Sequence, residues 1–208
     1  MSENEAVIGH THVHRDDEGS KLGMWLFLFT EILLFGGLFV LYAGYRFAYS
    51  DGFSAAAAEM NTFIGAVNTI VLLTSSLTVA LSIAALQKNQ KRLALNLLWF
   101  TIICGFVFLT NKYFEWSHEI HNGIYPKGPA LESMSSGEII YFGLYFVMTG
   151  LHGLHVIVGM IFIGFVMNFI SRDKITSTNY QKLENAGLYW HLVDLIWIFL
   201  FPLFYLIH

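Results

Sequence analysis

The chain has 208 residues, of which 55% are hydrophobic and only 12% are charged, and its mean hydropathy is +0.56. A soluble domain carries about 25% charged residues, so the composition predicts an integral membrane protein. The net charge of −4 and the lack of a basic stripe argue against a nucleic-acid partner. A single cysteine, Cys104, excludes an internal disulfide and a Cys-rich metal site.

Five apolar stretches predict the architecture. Residues 1–20 form a polar tail that lacks the apolar core and cleavage site of a signal peptide, so the first helix of the membrane domain, 21–208, is expected to be an uncleaved anchor. A spanning helix needs about 20 mainly apolar residues. The sequence therefore predicts an all-α integral membrane protein with five transmembrane helices at 22–45, 63–86, 93–110, 139–170 and 188–207.

The distribution of basic residues predicts the orientation of these helices. Five spans place the two termini on opposite sides of the membrane. By the positive-inside rule, the more basic side is cytoplasmic, so we expect a cytoplasmic N-terminus and a periplasmic C-terminus. The N-terminal side carries Arg15, Lys21, Lys88, Lys91, Arg92, Arg172, Lys174 and Lys182, and the other side carries Arg46, Lys112 and Lys127.

Glu31 is the only charged residue of the first apolar run. An acid at the centre of a membrane helix costs about 2.5–3.5 kcal/mol on insertion scales, so it is retained where it faces a protein interior, a water cavity or a polar partner. Two interpretations stay open. Glu31 takes part in proton or ion handling, or its protonated carboxyl only joins two helices.

His152 and His155 lie three residues apart on one face of the fourth span. A bis-histidine haem takes its ligands from opposite sides of the iron, which two residues of one helix do not provide. Hydrogen-bonded histidines, structural or proton-linked, are therefore the favoured interpretation. The neighbouring Gly150 and Gly153 predict close helix packing, as do Gly36 and Gly37 on the first span.

Two further groups lie near the membrane edges. His191 and Asp194 are expected to hydrogen-bond to each other near the cytoplasmic surface, with Trp190 at the interface and Trp197 against lipid. They form an anchor, or they contact a lipid headgroup or another subunit.

At the periplasmic end of the third span, Lys112 is expected to pair with Glu115, as snorkelling side chains usually do.

The alternating His10, His12 and His14 lie in a polar tail that cannot supply the surroundings of a metal site. We therefore expect no metal site in this chain.

Five segments, one per helix and in the same order, resemble subunit III of the haem–copper oxidases, in the five-helix bacterial form. The longer form has two additional helices, and this chain departs from it at Asn111, Lys112 and Pro202. The matching segments are KLGMWLFLFTE (21–31), NTIVLLTS (68–75), KYFEW (112–116), TGLHGLHVIVG (149–159) and YWHLVDLIWIF (189–199).

This resemblance implies an accessory subunit of cytochrome c oxidase in the bacterial inner membrane, without a catalytic residue or redox centre of its own. Its partners would be subunits I and II, which hold haem and copper and pass electrons from cytochrome c to oxygen while protons are translocated. It further implies bound phospholipid, a role in proton uptake and in the stability of the catalytic subunit, and Glu31 as the family's buried membrane glutamate.

Other functions are compatible with parts of the sequence. A quinol oxidase or the accessory protein of a nitric oxide reductase would share the same features. A stand-alone proton-coupled transporter is disfavoured because the chain lacks an internal repeat and helices broken by Gly or Pro. A membrane b-type cytochrome is disfavoured by the positions of the histidines.

Overall fold

The computed structural model describes residues 17–125 and 128–207, which form six α-helices and one short 3-10 helix. Five of the helices are long and apolar enough to cross a membrane, which confirms the five predicted spans. Within the described residues the only β-pairing is an isolated bridge between Thr176 and Asn179. The helices are α1 (Asp17–Ala48), α2 (Ser50–Glu59), α3 (Thr62–Gln87), α4 (Lys91–His121), α5 (Ser136–Ser171) and α6 (Gln181–Tyr205), and the 3-10 helix is Pro129–Ser133.

Local signals explain several helix ends. The Asn61 side chain accepts a hydrogen bond from the backbone N–H of Ile64 and caps α3. Ser135 and Glu138 form a reciprocal capping box at the start of α5. Between α3 and α4 the chain reverses in three residues, with Asn89 in the left-handed region at φ 58°. The two helices are therefore antiparallel neighbours.

Helix α2 lies within the segment 46–61, between the first two predicted spans, where the sequence predicted no helix. Its buried residues Phe53, Ala56 and Ala57 follow the spacing of an amphipathic helix. The helix packs so closely on α5 that a Cβ added to Gly52 would lie 2.8 Å from the Cα of Gly137. Helix α2 therefore covers one end of the bundle.

Helix α1 packs less tightly than the others. Only 11% of its most apolar window is buried, against 33–56% for the other four spans. A Cβ added to Gly36 or Gly37 would meet no atom within 4 Å, so the predicted close packing at these two glycines is wrong within this chain. The small residues instead leave grooves along α1.

The last turn of α6 joins several helices. The final carbonyl groups of a helix have no partner within it, and a membrane offers no water to satisfy them. The hydroxyls of Tyr42, Thr62 and Tyr141 donate to the carbonyls of residues 203–205. These three hydrogen bonds fix the end of α6 against α1, α3 and α5.

Trp190 on α6 fills a slot made by two glycines. A Cβ at Gly105 would lie 3.2 Å from the Trp190 ring, and one at Gly159 would lie 2.8 Å from it. The Trp190 Nε1 donates to Ser75 Oγ over 3.0 Å, so its position is fixed by packing and by one hydrogen bond. The glycines set the rotation of α6 relative to α4 and α5.

Replacing Gly159 by Ala should destabilise the chain by about 1–3 kcal/mol, because the new methyl group forces the Trp190 ring to move. The matched control is Gly164→Ala on the same helix, where a Cβ meets nothing within 4 Å. Thermal unfolding of the full chain in mild detergent should show a lower midpoint for the first variant only. Equal losses in both would show that the slot does not constrain α6.

Candidate functional site

Glu31 on α1 and His155 on α5 form a hydrogen-bonded pair, 2.8 Å from Oε2 to Nε2. The side chains are 14% and 12% exposed, so water has little access to them. His155 Nδ1 lies 2.7 Å from the Leu151 carbonyl. A carbonyl can only accept, so Nδ1 carries a proton and both imidazole nitrogens are engaged.

This contact can be held by a single proton between Glu31 and His155. It lies either on the carboxyl, with a neutral imidazole accepting, or on Nε2, with an imidazolium donating to a carboxylate. The two forms have the same net charge and differ by a short proton movement. Aromatic rings surround the imidazole, with Phe35 edge-on at 5.3 Å and Tyr189 stacked at 6.5 Å. The pair can therefore hold a proton away from water.

His152 differs from the prediction that it would be hydrogen-bonded. It is completely buried, and neither ring nitrogen has a hydrogen-bond partner among the described residues. Its ring lies edge-on to Phe108 at 5.5 Å and 5.3 Å from Trp197. One turn along the same helix, only His155 faces a carboxyl group. The sequence could not distinguish the two histidines because both share the buried face.

The group near the start of α6 also differs from the prediction. His191 Nδ1 contacts Ser76 Oγ on α3 at 2.6 Å and does not bond to Asp194. Trp190 and Trp197 are both 0% exposed, so neither lies in the interface belt or against lipid. The prediction of a lipid contact by these two tryptophans and by Asp194, which is 3% exposed, is wrong for this chain.

Lys112 and Glu115 on α4 pair at 3.3 Å, but their side chains are only 8% and 5% exposed. They do not snorkel, because they face the bundle. The Lys112 ammonium also donates to Tyr145 OH over 3.1 Å and to Tyr205 OH over 2.8 Å. Both tyrosine hydroxyls in turn donate to Glu115 Oε1. All three ammonium protons are used, and this Lys112 network joins α4, α5 and α6.

Tyr145 and Tyr205 were missed from the sequence. Tyr145 lies on the same face of α5 as His152 and Thr149, and this stripe of polar groups was the available signal. Tyr205 follows Pro202 at the end of an apolar run and gave no such signal.

Grooves flank the loosely packed α1. One, of about 650 Å³, lies between α1 and α6 and is lined by Phe39, Arg46 and Phe199 among others. A second, of about 210 Å³, shares Phe39 and Phe199 with the first and continues past Gly36. Together these two cavities, named here the α1/α6 groove, are apolar except near Arg46.

In the described part of the chain, no group of three or more His, Cys, Asp or Glu side chains converges. His10, His12 and His14 lie outside the described residues, as does most of the tail 1–20.

These features define a multi-pass membrane protein of five spanning helices with buried polar networks between them. The profile of the family described as cytochrome c oxidase subunit III matches residues 2–208. The chain belongs to this family, and it is therefore a subunit of a terminal haem–copper oxidase complex, of cytochrome c or quinol type, with the catalytic subunits as partners.

The similar proteins are also named as subunits 3 of terminal oxidases. The chain is 33% identical to cytochrome c oxidase subunit 3 of Alkalihalophilus pseudofirmus, over 89% of this chain and 85% of the relative. It is also 33% identical to cytochrome bo(3) ubiquinol oxidase subunit 3 of Pseudomonas putida, over 93% and 88%. A probable quinol oxidase subunit 3 of Staphylococcus saprophyticus is 30% identical, over 93% and 92%.

Proposed function

We propose that this chain supports the catalytic subunit of a cytochrome c oxidase by holding a proton at Glu31 and His155 and by binding phospholipid along α1. The observation that carries the proposal is the 2.8 Å contact between these two side chains in the protein interior. The haem and copper belong to subunits I and II. Both nitrogens of His155 are already engaged, so this histidine offers no free ligand position.

The proposed orientation of the chain in the membrane is based on the distribution of its basic residues. We place the N-terminus in the cytoplasm and the C-terminus in the periplasm of a bacterial inner membrane. Lys112 is buried within the bundle and no longer counts as a loop charge, which widens the difference between the two sides. On the cytoplasmic side, Lys91 bonds to Asp173 over 2.6 Å and ties the start of α4 to the loop after α5.

Cytochrome c is proposed as the electron donor because the family profile that spans the chain carries that description. Quinol is the second candidate, since two of the similar proteins are named as ubiquinol or quinol oxidase subunits. Oxygen consumption by the complex purified through this chain, with either reduced cytochrome c or a quinol, separates them. Turnover with quinol alone would contradict the proposed donor.

The α1/α6 groove is the proposed phospholipid site. Its apolar walls suit an acyl chain, and the exposed Arg46 at its end suits a phosphate group at the membrane surface. The lipid would support α1, which has few contacts of its own.

Phospholipid retained by the purified complex tests this site. Arg46→Gln should reduce the amount retained, while Arg92→Gln, an exposed cation at the start of α4, should not. Equal lipid content in the wild type and both variants would contradict the proposed site.

A further inference from the structure

Aromatic rings enclose the pair of Glu31 and His155 from two directions along the bundle. Phe35 packs edge-on against the imidazole at 5.3 Å, one turn after Glu31 on α1. Tyr189 of α6 stacks on the same imidazole at 6.5 Å. It also stacks on Phe27 at 5.8 Å, which lies one turn before Glu31, so Tyr189 covers the pair on the side where α1 begins.

Contacts from two helices fix the Tyr189 side chain, which is 1% exposed. Its hydroxyl donates to the His155 carbonyl over 3.3 Å. The rings of Phe27 on α1 and Phe162 on α5 pack on it at 5.8 Å and 5.4 Å. A Cβ added to Gly159 would lie 3.2 Å from Tyr189 Cε1, so the ring also fills the space left by this glycine. The rings of Phe27, Phe162 and Tyr189 are named here the aromatic layer.

A cavity of about 220 Å³ lies on the other side of this layer. It is lined by Met24 of α1, by Phe162 of α5 and by the first turns of α6, at the end of the bundle assigned above to the cytoplasm. Lys182 and Asn185 give the cavity a polar rim. Phe162 contacts both the cavity and the Tyr189 ring. A path from this cavity to the pair therefore meets the aromatic layer.

We propose that Tyr189 is the residue that closes the Glu31 and His155 pair to water from this cavity. Water is stable inside a protein only where several polar groups bind it. The ring faces of the aromatic layer offer no such groups, and the Tyr189 hydroxyl is already engaged by the His155 carbonyl. The layer therefore limits how fast a proton reaches or leaves the pair from this side. The use of this limit in turnover rests on the proton-holding function proposed above, but the closure itself does not.

Hydrogen exchange at the imidazole C2 position tests the closure in the intact complex, without turnover. This hydrogen exchanges slowly with D₂O at a rate that depends on the access of water to the ring, and mass spectrometry of peptide fragments measures each histidine separately. In Tyr189→Ala, His155 should exchange at least about tenfold faster than in the wild type, because a buried aromatic ring is lost. In Tyr189→Phe, which keeps the ring, His155 should exchange at nearly the wild-type rate.

His152 is the internal control, because it lies one turn away on the same helix and packs on Phe108 and Trp197. Its C2 hydrogen should exchange at the wild-type rate in every variant. The matched control variant is Phe165→Ala on α5. Phe165 lines the same cavity but is not part of the aromatic layer, so its loss should widen the cavity without opening the layer.

Three results would overturn the proposal. His155 exchanges no faster in Tyr189→Ala than in Phe165→Ala, it exchanges as fast in Tyr189→Phe as in Tyr189→Ala, or His152 accelerates equally. If Tyr189→Ala does not assemble, Phe162→Ala is compared with Phe165→Ala, because only the former removes a ring of the layer. Equal His155 rates in these two variants would contradict the closure. Unchanged proton uptake by a Tyr189→Ala complex with accelerated exchange would confirm the closure while contradicting the proton-holding function.

Discussion

Replacing Lys112 by Met should lower the free energy of unfolding by about 3–5 kcal/mol, because it leaves the buried Glu115 carboxylate without its charge partner. Two tyrosine hydroxyls would still donate to Glu115, so the residual charge would be hydrogen-bonded but uncompensated. Thermal unfolding of the full chain in mild detergent, or its retention in the purified complex, measures the loss.

The matched control is the exposed pair of Lys91 and Asp173, whose side chains are 36% and 75% exposed. Lys91→Ala should cost about 0–1 kcal/mol, as exposed ion pairs do. The double variant Lys112→Met with Glu115→Gln should recover much of the lost stability, because it removes both buried charges. A Lys112→Met variant as stable as Lys91→Ala would show that the Lys112 network does not hold α4, α5 and α6 together.

Glu31→Gln and Glu31→Ala should affect the complex differently. The Gln amide can still donate to His155 Nε2, so this variant keeps the link between α1 and α5 but cannot share a proton. The Ala variant loses the hydrogen bond and the shared proton. Leaving His155 Nε2 unpaired should cost about 1–3 kcal/mol of stability. We expect the complex to retain less of the chain in Glu31→Ala. In both variants we expect altered proton uptake, or a complex that stays active for a shorter time during turnover.

Oxygen consumption and proton release by complexes of equal subunit content measure these effects, with Thr30→Ala as the control. Thr30 is the exposed neighbour of Glu31, and its hydroxyl donates to the Phe27 carbonyl. Electron transfer to oxygen should persist in both Glu31 variants. Abolished oxygen reduction in Glu31→Gln would refute the accessory role, and unchanged behaviour of both variants would reduce Glu31 to a packing residue.

The spanning helices could be predicted from the sequence because a bilayer imposes a length and an apolar composition on each of them. Helix α4 continues to His121, beyond the predicted apolar limit at residue 110, because the polar residues Lys112, Glu115 and Glu119 of its last three turns are buried against protein. Helix α2 was missed since it is short and its signal is mainly a run of alanines at 55–58.

The pairing within the site could not be predicted. Glu31 and His155 were each recognised, but they are 124 residues apart, and their contact depends on how α1 and α5 are rotated. The rotation of α6 likewise explains the errors at Trp190 and Trp197. Tryptophans near helix ends commonly lie at the interface, but the slot at Gly105 and Gly159 turns Trp190 inward. Spacing along one helix identifies a shared face, but it does not reveal what that face meets.

Separating the purified complex into its subunits tests the central claim most directly. The complex should be isolated through a tag on this chain in mild detergent, and its haem and copper should be measured before and after dissociation. We expect both metals in the intact complex and in the partner subunits, and neither in this chain. Stoichiometric haem or copper in the separated chain, or a purified assembly that contains no haem-bearing partner, would contradict its role as the accessory subunit of a haem–copper oxidase.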